Sequence, residues 1–68
     1  MSELHKLEVN LAVIEARLKE LANECRSCIH ASDISTVNRI YQTADSIYGY
    51  AGLIRNLSNT IIINRSRQ

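Results

Sequence analysis

Proline is missing from the 68 residues, and glycine occurs only twice. Without proline, no position is barred from a helix interior by a lost N–H and a ring clash. The sequence is instead rich in Leu, Ile, Ala, Glu and Arg, which points to long helices. A strong charge of either sign is also lacking. The formal net charge is +1, so bulk attraction to nucleic acid or to an anionic membrane is not indicated. Long hydrophobic runs are absent too. The Ile61-Ile62-Ile63 run falls far short of the roughly 20 residues that span a bilayer. The opening residues MSELHKLE mix charges of both signs and offer no apolar stretch of a secretory signal. Two cysteines, Cys25 and Cys28, without an export signal imply reduced thiols and a cytoplasmic location.

Chemistry is scarce as well. There is no Ser-His-Asp set, no phosphate-binding glycine loop and no carboxylate pair set among apolar residues, so no catalytic residue is assigned and no enzyme is expected. Cys25, Cys28 and His30 supply at most three of the four ligands that a structural zinc needs. Haem attachment wants a His directly after the second Cys, where Ile29 stands. Both cysteines read as small hydrophobes of a buried seam, and no metal or other cofactor is expected.

What is present is a heptad repeat. Leu4, Leu7, Leu11, Ile14, Leu18, Leu21, Cys25 and Cys28 follow at alternating steps of three and four, an a/d seam without a polar interruption. Ser2 stands where it can cap the first turn, with Glu3 beside the positive end of the dipole. Ser32 and Asp33 offer caps for a second helix, whose seam is Val37, Ile40, Ala44, Ile47, Ala51, Ile54, Ser58 and Ile61. The spacing predicts helix one at about 3–30, a turn at about 31–33, helix two at about 34–60 and a frayed tail at 64–68. The β-branched Thr60 and isoleucines place the end of helix two near 60. Two matching seams joined by a short polar turn predict an all-α fold, a single-domain antiparallel two-helix hairpin of coiled-coil type. Residues 1–34 carry four cations against six carboxylates, and residues 35–68 four against one, which favours pairing of the two halves.

A hairpin of this size buries too little to stand comfortably alone. Another chain should complete it, either a heteromeric helical partner or a second copy in a dimer. Val9, Val13 and Ala16 lie at about 120–180° from Leu4 around helix one, with Ala12 at their border. On helix two Tyr41 and Tyr48 take e positions, and Tyr50 and Leu57 take g positions, widening the apolar face. Gly49 and Gly52 cost about 1 kcal/mol each against alanine inside a helix. They either admit a partner backbone beside Tyr48 and Tyr50, or mark a kink or break. The candidate partner-binding residues are therefore Val9, Ala12, Val13, Ala16, Tyr48, Gly49, Tyr50 and Gly52.

The layout resembles the small co-chaperones of type III secretion needle subunits, the YscE-like family. The resemblance lies in the leucine-rich first helix, the polar turn, and Tyr41-Gln42 followed by Ala44, Ile47, Ala51 and Ile54. It implies a cytoplasmic helical hairpin that joins a larger tetratricopeptide chaperone to hold the needle subunit monomeric. The Gly49–Gly52 pair and the isoleucine run at 61–63 fall outside that pattern. The heptad hairpin is also similar to the Rop family of plasmid copy-number proteins, which implies the alternative of a homodimeric four-helix bundle binding RNA or protein. An RNA role needs a basic exposed stripe, whereas the outer face of helix one carries Val9, Val13, Ala16 and Glu20.

Overall fold

A computed structural model describes residues 2–67. The fold is all-α. The described residues form two helices, α1 (Glu3–Ser27) and α2 (Ile34–Ser66), with no strand among them. The chain divides into two helical units, the first ending at Ser32 and the second beginning at Asp33.

In α1, only Val9, Val13 and Ile14 are β-branched and no glycine interrupts, so little opposes its 25 residues of helix. Ser2 stands outside in extended geometry, and its Oγ accepts the backbone N–H of His5 at 3.1 Å. That satisfies one of the four orphan donors of the first turn. Glu3 and Arg26 complement the dipole at the two ends.

The sequence places the end of α1 near residue 30, but the helix stops at Ser27. Here the backbone changes its bonding. Cys28 donates to the Cys25 carbonyl at 3.0 Å and Ala31 to the Cys28 carbonyl at 2.9 Å, three-residue steps that tighten the coil in place of the helix's four. In the last turn Ser27 Oγ donates to the Asn23 carbonyl at 3.3 Å, and Arg26 Nη1 to Asn23 Oδ1. A heptad pattern reports which face is apolar but not where the backbone changes step, so Cys28 fell inside the expected helix.

Asp33 begins α2. Its Oδ1 accepts the Thr36 N–H at 3.1 Å and its Oδ2 the Thr36 hydroxyl at 2.6 Å. These bonds, the hydroxyl first and then the N–H, hold the Asp33 carboxyl below its ordinary range. No described residue has a positive φ, so the connection between the helices needs no glycine.

The second helix also departs from the expected boundary. It continues to Ser66, through residues 61–63 and most of the segment read as tail. Each β-branched residue costs a helix only a few tenths of a kcal/mol, and neither glycine nor proline follows Gly52 to stop it. The Thr60 hydroxyl donates to the Asn56 carbonyl at 3.1 Å and that of Ser66 to the Ile62 carbonyl at 3.1 Å. Arg67 closes the helix, donating to the Asn64 carbonyl at 3.3 Å. The last residue of the expected tail, Gln68, lies outside the described residues.

Candidate interaction surface

On α1 the seam and the outer stripe occupy different sides of one cylinder. Taking about 100° per residue, Val9, Ala12, Val13 and Ala16 stand at about 140°, 80°, 180° and 120° from Leu4. All four are exposed, Val13 at 63%. They run i, i+3, i+4, i+7, the spacing that lines one helical face. Charges edge the stripe at its lower end. Arg17 Nη1 lies 3.0 Å from Glu20 and 3.7 Å from Glu24, spanning the face that continues from Ala16. At the upper end His5 Nδ1 stands 3.5 Å from Glu8.

The seam of α1 is open as well. Leu4, Leu7, Ile14, Leu18 and Leu21 are exposed and Leu11 is half-buried. Each helix taken by itself covers little of its own apolar surface, and among the described residues none is buried. Cys25 and Cys28, read as buried seam residues, are both exposed free thiols. A cysteine on a seam is covered only by whatever pairs with that seam. Among the described residues no three His, Cys, Asp or Glu side chains converge as a metal requires.

On α2, Tyr48 and Tyr50 are 80% and 68% exposed. Two residues apart, they project from different sides, about 200° from each other. Gly49 and Gly52 lie within continuous helix, so the sequence alternative of a helix break at the pair is corrected. A Cβ built on either would meet nothing within 4 Å. The helix therefore does not need glycine at these positions for space.

One residue of this surface escaped the sequence reading. Leu53 is 53% exposed and stands with Tyr50 and Leu57 at about 180–240° from seam residue Ala44. In heptad terms it takes a c position, which the repeat treats as solvent-facing. Scanning for i, i+3, i+7 apolar spacing independently of the seam finds it at once. On α1 the stripe lies opposite the seam, whereas on α2 Tyr50 and Leu57 flank the seam and widen it, with Leu53 further round.

No helix among the described residues is long and apolar enough to cross a membrane. No family model, curated protein or solved structure matches the chain.

Proposed function

We propose that this chain is a small helical adaptor that acts by binding another protein rather than by catalysis. One observation carries the reading: the stripe of Val9, Val13 and Ala16 is exposed on the side of α1 away from the seam. A helix covered along its seam by one neighbour still presents that stripe, so closing an antiparallel hairpin through the two seams leaves it for a further chain. The resemblance to needle-subunit co-chaperones supplies the finer form. In it, the hairpin works in the cytoplasm beside a tetratricopeptide chaperone, holding a secretion needle subunit monomeric.

Copurification from the native cell tests this, with solution mass measured by light scattering. The wild-type chain should emerge in a stoichiometric complex containing such a chaperone. Val13→Glu should leave helicity intact and lose the partner, because a charge buried without a counterpart is expensive. A Val13→Glu chain that recovers the same partner in the same amount would overturn the assignment.

A further inference from the structure

The first helix ends between two thiols. Cys25 lies in the last turn of α1 and Cys28 stands one residue past Ser27, and both are exposed. The backbone links them directly, because the Cys28 N–H donates to the Cys25 carbonyl at 3.0 Å. That bond closes a turn of three-residue step, in which side chains three apart eclipse. An α-helical step would turn the same pair about 60° from each other. With a rise of about 1.5–2.0 Å per residue the two Cα atoms stand about 5–6 Å apart. A disulfide spans roughly 4.4–6.8 Å between Cα atoms. The pair is in reach.

The residues between the cysteines leave the thiols to each other. Arg26 Nη1 donates to Asn23 Oδ1, and Ser27 Oγ to the Asn23 carbonyl, so both bond back up the helix. Among the described residues no third ligand converges on the pair, and the chemistry its geometry offers is that of two thiols.

We infer that Cys25 and Cys28 form a redox modification site, a dithiol that a low-molecular-weight disulfide of the glutathione class closes into an intramolecular disulfide. Two exchanges balance the step. One cysteine gives up its thiol proton and attacks a sulfur of the small disulfide. The reagent's S–S bond breaks, a mixed disulfide forms, and one small thiol leaves with the proton. The second cysteine then gives up its proton and attacks the protein sulfur of the mixed disulfide. The Cys25–Cys28 bond forms as the mixed bond breaks, and the second small thiol leaves with that proton. Two protein thiols are oxidised by two electrons, and one small disulfide is reduced to two thiols. An exposed disulfide is of the labile, reducible kind, so excess small thiol reverses both exchanges.

The site is independent of any partner reading, since both residues and the bond between them lie in the first helical unit. Both sulfurs nevertheless occupy seam positions. A segment lying on that end of the seam shields them, and the pair closes only while it is open.

Incubating the full chain with oxidised and reduced glutathione tests this, with acid-quenched products read by mass spectrometry. The wild-type chain should collect as a single chain lighter by two hydrogens, and no adduct should persist. Cys25→Ser and Cys28→Ser should each keep one glutathione adduct, because no second thiol remains to displace it. A wild-type chain that accumulates two adducts, or that links to another chain, overturns the inference.

Any pair of cysteines this close in sequence closes to some extent, so the turn itself requires a measurement. In native buffer the chain should favour the disulfide about tenfold or more over the same chain in denaturant, a potential about 30 mV more negative. Equal constants would show that the turn contributes nothing and would remove the site. Amide exchange gives a second readout. Oxidation should slow exchange at Cys28, whose bond to the Cys25 carbonyl the bridge encloses. Faster exchange there would mean that the disulfide demands a different backbone, which also overturns the inference.

Discussion

Asp33 holds Thr36 by two bonds, one carboxylate oxygen taking the backbone N–H at 3.1 Å and the other the hydroxyl at 2.6 Å. The carboxylate form makes both, and its proton affinity is lowered as a result. A group whose folded pKa lies below its unfolded value stabilises the fold above the unfolded value. That contribution is lost as pH falls through the folded value. The first turn of α2 should therefore keep its protection at neutral pH and loosen as acid passes below the ordinary carboxyl value of 3.8. Amide exchange at Thr36 and Val37 across pH 2–5 measures this, and Asp33→Ala should abolish the pH step while accelerating exchange throughout.

Gly49→Ala and Gly52→Ala should stabilise the free chain. The new methyl group meets nothing within 4 Å at either site, and alanine gains about 0.5–1 kcal/mol over glycine in a helix interior. Thermal circular dichroism should show the midpoint rising by about 4–8 °C per kcal/mol in a domain of this size. If copurification falls while the midpoint rises, a partner backbone approaches α2 at these glycines. If both rise or hold, α2 is not contacted there.

The seam of α1 should be indispensable to the assembled form. Leu18→Ala removes a large aliphatic side chain that seam pairing covers, at about 2–5 kcal/mol, enough to unfold so small a domain. Leu11→Ala and Ile14→Ala should behave alike in urea titrations. An unchanged midpoint for Leu18→Ala would mean that the seam is not paired.

Thiol labelling reads the same seam without mutation. Cys25 on α1 and Cys28 just past its end are both exposed, so only a covering chain segment can protect them. Alkylation should run about tenfold or more slower in the native assembly than in denaturant. Equal rates would show an open seam.

The helices were legible in the sequence because their information is local. Ser2 and Asp33 cap where their side-chain chemistry says they should, and Leu4 to Leu21 repeat with helical spacing. The ends were less legible. Cys28 leaves the helix through a change of backbone step, and residues 61–63 stay in it because β-branching costs little and no glycine or proline follows. Neither is a matter of apolar pattern. The surface was half legible: Val9, Val13 and Ala16 stand out in any helical projection. Leu53 was hidden by the heptad frame, which assigns every residue a role relative to a single seam.

The hydroxyls of α2 have a consequence for how completely that helix can be enclosed. Thr43, Ser46, Ser58, Thr60 and Ser66 each donate to the carbonyl four residues earlier, at 2.8–3.2 Å. These side chains project at angles spread around the whole cylinder. A polar group stripped of water is costly only when it is left without a hydrogen-bond partner. Since these donors carry their acceptors with them, neighbours could surround α2 at the hydroxyl positions without stranding a donor. Water or a partner's polar group is still required at Arg39, Asp45, Arg55, Arg65, Ser35, the three tyrosine hydroxyls and the amide side chains, and their placement marks the strips of α2 that an enclosing assembly would have to leave wet or pair.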